Sequence, residues 1–87
     1  MLSKEYTVKN PSGLHLRPAT IFSQACAKLD SEIRILFKDK VINPKSVLML
    51  MGAGITKDSE IVIEVDGPNE EADLASIIET LESGLGE

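Results

Sequence analysis

In the stretch Gly13-Leu14-His15-Leu16-Arg17-Pro18-Ala19 an imidazole and a guanidinium stand two residues apart, just ahead of a run with helical spacing. A helix amino end carries partial positive charge and backbone N–H groups without helical partners, and an arginine fork matches the oxygens of a phosphoryl group. A histidine unprotonated near neutral pH is a nucleophile toward phosphorus, and the phosphohistidine it forms readily passes the group on. Pro18 removes one competing N–H from the first turn, and Ser12 is near enough in sequence to orient the ring. By residue type alone, an exposed cap residue with no chemistry is the commoner role for a lone histidine such as His15.

Ser46 is the second candidate. It precedes Val47-Leu48-Met49-Leu50-Met51, a short helical run closed by Gly52 and Gly54. As a serine at a helix start it caps the helix, and a phosphate there would add roughly two negative charges at an amino end that tolerates them. The two roles are not distinguished by residue identity. Five apolar residues in a row exceed what one face of so short a helix can bury, so some are exposed; Met49 and Leu50 are assigned to the core.

These residues need a scaffold, and the hydrophobic pattern supplies one. Leu2 to Val8 reads as a strand with Tyr6 and Val8 on one face, closed by the turn cluster Asn10-Pro11-Ser12-Gly13. Phe22, Ala25, Cys26 and Leu29 recur at i, i+3, i+4 and i+7, which predicts a helix from Pro18 to Leu29 with His15 at or just before its start. Ile33, Ile35 and Phe37 alternate as in a strand with one covered face, and a turn at Lys38-Asp39-Lys40 leads to a partner strand from Val41 to Asn43. Pro44 holds Asn43 extended before the Ser46 helix. Ile61, Ile63 and Val65 form the last strand, and after Asp66-Gly67-Pro68 the final helix has Asn69 as cap, Glu70, Glu71 and Asp73 in its first turn, and Leu74, Ile77, Ile78 and Leu81 on one face. The order β-α-β-β-α-β-α implies an α+β domain over residues 1–87, with one antiparallel sheet covered on one face by helices.

Composition limits the functions open to such a domain. At 87 residues there is room for one core. The longest run of apolar or Gly residues, Val47 to Ile55, is well short of the about 20 residues that cross a bilayer, and no basic-then-apolar leader is visible, so a soluble cytoplasmic protein without membrane insertion is expected. One cysteine, Cys26, and one histidine leave no internal disulfide and no multi-histidine metal site, and no cofactor is expected. A net charge of −5, with one Tyr and two Phe, argues against nucleic acid as a partner. The charge is unevenly spread: residues 1–45 carry eight Lys and Arg against four Asp and Glu, while residues 46–87 carry Lys57 against ten acids. His15 and Arg17 lie in the basic half. The acids of residues 58 to 87 read mostly as a solvated helix face and turn chemistry, and Cys26 as a small core residue.

Over its whole length the sequence resembles the HPr family, the phosphocarriers of the bacterial phosphoenolpyruvate-dependent sugar phosphotransferase system. The resemblance is carried by Gly13-Leu14-His15-Leu16-Arg17-Pro18-Ala19, by Asn43-Pro44-Lys45-Ser46-Val47 with Met51 following, by the Asp66-Gly67 turn, and by the spacing between them. It implies an open-faced β-sandwich, with a four-stranded antiparallel sheet in order 1-4-2-3 and three helices on one side. It implies that His15 takes a phosphoryl group on Nδ1 from enzyme I and passes it to enzyme IIA domains, with Arg17 neutralising the phosphoryl charge. Ser46 matches the site of an HPr kinase/phosphorylase in low-GC Gram-positive bacteria, and Gln24, Met51 and Gly84-Leu85-Gly86-Glu87 resemble that branch. Leu16, Thr20, Gln24, Val47, Leu48 and Met51 match a partner-docking patch beside the histidine.

Two departures stand out: Leu16 occupies a position that usually holds a small or polar residue, and Pro44 replaces a common alanine. The first bears on partner choice, the second on whether a kinase accepts the Ser46 helix. The resemblance implies a monomeric, stoichiometric carrier rather than an enzyme. It leaves as alternatives a regulator acting mainly through phospho-Ser46 with a catabolite-control transcription factor, and a specialised carrier for nitrogen regulation.

Overall fold

A computed structural model describes residues 1–87, which run as β1 (Leu2–Thr7), α1 (Leu16–Ala27), β2 (Glu32–Phe37), β3 (Lys40–Ile42), α2 (Val47–Gly52), β4 (Glu60–Asp66) and α3 (Glu70–Glu82). The strands form one antiparallel sheet in the order β1-β4-β2-β3, as the resemblance implies.

The alternation along each strand sets the register. Ile35 lies opposite Ile63 of β4 on one side and Ile42 of β3 on the other, and Tyr6 of β1 lies opposite Ile61. These residues, with Ile33, Phe37 and Val65, are buried beneath the helices, whereas Arg34, Leu36, Val62 and Glu64 alternate to the opposite, partly open face. A one-residue slip would exchange the two sets, so the covered face fixes the pairing. From α1, Phe22 and Cys26 reach the same core, from α2 Leu50, and from α3 Ile77 and Leu81. Burying each large aliphatic side chain contributes about 1.5–3 kcal/mol, far more than the intrinsic helix preference of a six-residue segment such as α2.

The first helix begins at Leu16, two residues before the proline, and ends at Ala27 rather than Leu29. Pro18 is thus the third helical residue, where its missing N–H would have had no helical acceptor. Asn69 sits at the cap position of α3, but its side chain makes no cap bond. Asp73 is not solvated: it is buried, and Ser31 Oγ donates to its carboxylate at 2.5 Å. That bond ties the turn before β2 to the first turn of α3. Met49 is 44% exposed, so α2 is anchored in the core by Leu50, with Val47 packed partly against it. No helix is long and apolar enough to cross a membrane.

Candidate functional site

His15 is the N-cap residue of α1. Its backbone is extended, with φ −87° and ψ −171°, and its side chain makes no cap bond. The first backbone bond at this end runs from Ala19 N to His15 O at 2.7 Å. The amides of Leu16 and Arg17 precede it and have no helical acceptor, while Pro18 has no N–H to offer. No acidic residue lies in the first turn, and no ion pair in the molecule uses Arg17. The imidazole, the guanidinium and two unpaired amides therefore share one exposed, locally cationic helix end.

The loop before the helix is rigidly built. Gly13 has φ +61°, and a Cβ there would lie 2.5 Å from Ile55 O and from Thr56 Cα, so only glycine allows this approach. Leu14 N donates to Ile55 O at 3.0 Å, and the Leu14 side chain is buried. Buried Asn10 donates through Nδ2 to Gly13 O at 2.7 Å. With Leu14 inside and Gly13 fixed, His15 has no choice but to emerge at the surface.

Ser12 does not act on the ring. Its Oγ donates to Glu87 Oε2 at 2.5 Å and its N–H to Glu87 Oε1 at 2.9 Å, while Asn10 Nδ2 also donates to Oε1 at 2.9 Å. The Ser12 hydroxyl, then the Ser12 amide and Asn10, hold the Glu87 carboxyl below the usual carboxylate range, with Arg17 adding a weaker attraction. Sequence reasoning missed this contact: 75 residues separate Ser12 from Glu87, and no local pattern announces it.

Ser46 caps α2. Its Oγ accepts from Met49 N at 3.3 Å and the residue is half-buried. Lys45 Nζ donates to Leu29 O at 2.9 Å and to Ser31 O at 3.1 Å, fastening the start of α2 to the exit of α1. Pro44 is fully buried beside it. The two helices pack together. Leu16 is 65% exposed, Leu48 78% and Met51 37%; Val47 is half-buried against the core, Thr20 is half-buried with its Oγ donating to Leu16 O at 2.7 Å, and Gln24 is exposed. The residues expected in a docking patch thus sit on two adjoining helices, with their large apolar members in solvent.

None of the surface depressions of the molecule is lined by His15 or Arg17, so the histidine stands on an open surface, accessible to another protein. Cys26 is fully buried, and burial pushes its thiol up to about 12, which leaves it inert at neutral pH. No cluster of three His, Cys, Asp or Glu side chains is placed to hold a metal ion.

A family model described as the PTS HPr component phosphorylation site matches residues 2–83. Among solved structures, HPr-C-His from Thermoanaerobacter tengcongensis is 31% identical and superposes with a TM-score of 0.94, over 100% of this chain and 98% of that one. The histidine-containing phosphocarrier protein of Mycoplasma is 27% identical, with a TM-score of 0.88 over 97% of each chain. The phosphocarrier protein HPr of Bacillus anthracis is 29% identical, with a TM-score of 0.87 over 92% of this chain and 95% of that one.

Proposed function

This chain belongs to the HPr family of phosphotransferase-system proteins, and on that footing we propose that it accepts a phosphoryl group on His15 from phospho-enzyme I and delivers it to enzyme IIA domains during sugar uptake. The observation that supports this most is the exposed, uncapped His15 at a helix end whose Leu16 and Arg17 amides and Arg17 guanidinium are uncommitted.

In the accepting step the ring nitrogen that holds the lone pair, Nδ1 by family resemblance, forms a bond to phosphorus. The bond from phosphorus to the donor nitrogen breaks, its electron pair stays with the donor, and the other ring nitrogen of His15 keeps its hydrogen. Delivery repeats the exchange with an enzyme IIA histidine as nucleophile. Negative charge gathers on the phosphoryl oxygens at the amino end of α1, where the two amides and Arg17 stabilise it. The chain is a stoichiometric carrier working in the cytoplasm, not a catalyst. Leu16, Thr20, Gln24, Val47, Leu48 and Met51 form the docking surface, and methionine on such a surface adapts to more than one partner.

Ser46 adds regulation. Its hydroxyl sits half-exposed within that docking surface, so a phosphate from an HPr kinase/phosphorylase would place charge among the apolar contacts while leaving the fold in place. A catabolite-control transcription factor would read the phosphorylated form.

Incubation with enzyme I, phosphoenolpyruvate and Mg2+ tests the main reading. The protein should gain one acid-labile phosphate by intact mass, and His15→Ala should gain none. An unmodified wild-type protein, or labelling that survives His15→Ala, would refute it. Phosphoserine survives acid, so the lability of the linkage separates His15 from Ser46.

A further inference from the structure

The helices all pack on one side of the sheet, and the other side carries no second layer. On that open side the strand registers place Val41 of β3, Leu36 of β2, Val62 of β4 and Glu5 of β1 in one row. Side chains directly opposite on neighbouring strands come within contact range, so the first three form a continuous aliphatic row. An antiparallel sheet wetted on one side ordinarily places polar residues there. Here Val41 is 60% exposed, and Leu36 and Val62 are half-buried. Met49 of α2 carries the row around the sheet edge, since it lines the same two depressions as Val41.

The charge around this row has one sign. Alternation along the strands turns Glu5, Glu32, Glu60, Glu64 and Asp66 outward with it, against Arg34 alone. Lys38 and Lys40 turn to the helix side, the first over the Phe37 ring and the second to Ala53 O. Arg34 is engaged by Glu32 and Glu64, each at 3.0 Å, and the amino terminus approaches Asp66 at 3.8 Å. Glu5 and Glu60 have no ion-pair partner. These two flank Val62, Glu5 directly across on β1 and Glu60 two residues earlier on β4. With Thr7 they wall the largest surface depression of the molecule, floored by the Tyr6–Ile61 pair. A lysine or arginine side chain fits such a place, with its methylene stem along Val62 and its charge between two carboxylates. A second copy laid face to face would set acids against acids, and nucleic acid would be repelled.

We infer that the open sheet face is a second docking surface, for a partner protein that presents lysine or arginine beside aliphatic side chains. The aliphatic contacts fall on Val41, Leu36 and Val62, and the cation falls on Glu5 and Glu60. This surface lies across the sheet from α1 and α2, so its occupant leaves His15 and Leu48 free. Charge separates the two surfaces as well: the amino end of α1 is cationic and this face is acidic, so a partner steered to one is repelled by the other. The inference does not depend on phosphoryl transfer.

The probe is a short amphipathic peptide of leucine and lysine, titrated into 15N-labelled protein beside a counterpart with glutamate in place of lysine. The lysine peptide should shift the amides of Glu5, Leu36, Val41 and Val62 and leave those of Leu16, Ser46 and Leu48 in place, while the glutamate peptide shifts none. Glu60→Lys, at an exposed position, should weaken binding roughly fivefold. Leu36→Thr, which keeps a strand-favouring residue, should weaken it roughly three- to tenfold. The melting midpoint of Glu60→Lys should stay at that of the wild type. No shift on the open face, shifts spread over the acids of α3, or undiminished affinity in Glu60→Lys overturns the inference. A concentration-dependent dimer in sedimentation that Leu36→Thr abolishes would put a second copy on this face and overturn it too.

Discussion

The amino ends of α1 and α2 lie on adjoining helices and are finished in opposite ways. At α2 the Ser46 hydroxyl accepts from Met49 N and completes the helix from within. At α1 the cap residue is His15, whose side chain returns nothing to the backbone, and the amides of the first turn face outward. A third end, that of α3, also lacks a side-chain cap bond, but Glu70, Glu71 and Asp73 in its first turn answer its positive pole. Only α1 is left both uncapped and without acids. A helix end in that condition forgoes about 1 kcal/mol of capping stabilisation, and what it keeps is a pair of free amides next to an imidazole. On the proposed carrier function, the closed end serves stability and the open one serves the phosphoryl group.

Closing the open end should abolish function and raise stability together. In His15→Ser the extended backbone at position 15 already suits a cap, so the hydroxyl gains a bond to a first-turn amide. Phosphoryl acceptance should fall to background, while the thermal midpoint rises by about 4 to 8 °C if the cap contributes about 1 kcal/mol. Calorimetry and intact mass measure both. A midpoint no higher than wild type would mean that the α1 end is already satisfied, and the contrast between the two helices would collapse.

Arg17→Ala keeps the nucleophile and removes the charge at the open end. The rate of phosphoryl acceptance should drop by roughly ten- to a hundredfold, less than the loss of a buried oxyanion donor because the site is exposed. Arg17→Lys should recover part of it, since an ammonium supplies charge without the planar fork. Stability should not change, because Arg17 is exposed and has no ion-pair partner. Rapid-quench transfer from phospho-enzyme I, set beside chemical denaturation, provides the comparison.

At the closed end the expected effects are smaller. Ser46→Ala should cost about 1 kcal/mol of stability through the lost cap, whereas Ser46→Asp, which also caps, should fall within about 0.5 kcal/mol of wild type. Function should divide the other way. Ser46→Asp puts charge among Val47, Leu48 and Met51 and should weaken transfer from phospho-enzyme I about tenfold, while Ser46→Ala leaves it unchanged. Equal transfer rates for the two variants would show that α2 takes no part in docking.

How much of this was readable in the chain depends on how local each feature is. Alternation along Ile33, Ile35 and Phe37 and along Ile61, Ile63 and Val65 specified the covered face, and the i, i+3, i+4 spacing of Phe22, Ala25 and Cys26 specified α1, because a few neighbouring side chains decide those elements. His15 at the helix start was equally legible. Helix boundaries were less so, since Pro18 is as well tolerated at the third helical position as at the first. Asp73 looked like one more acid of a solvated turn, and nothing near it in sequence signals Ser31, 42 residues away, as its partner. Met49 could not be told from Leu50 because a six-residue helix has too few turns for periodicity to assign a face. The sheet order and the docking patch came through the family resemblance, not through pattern. Proximity in sequence alone points Ser12 at the ring, and the partner it has instead arrives from the far end of the chain.

The smallest expected effect concerns the loop that presents the open end. The Glu87 carboxyl is held below its ordinary value chiefly by the Ser12 hydroxyl and amide, so the folded protein binds this proton less readily than the unfolded chain. Its contribution to stability is complete above the ordinary carboxylate range and is lost as pH falls through the lowered folded value. Because the carboxylate is exposed to solvent, the change in global stability should be slight. A local probe is better. The Ser12 amide resonance should titrate with an acid-shifted midpoint, and the Asn10 side-chain amide should follow it, since both donate to Oε1. In Glu87→Gln both titrations should vanish while the Met49 amide, bonded to Ser46 at the closed end, stays where it is. If the Ser12 amide instead titrates at an ordinary carboxylate midpoint, the Glu87 carboxylate is not seated on the Asn10–Gly13 turn in solution, and the open end of α1 is then presented by a looser turn than the structure describes.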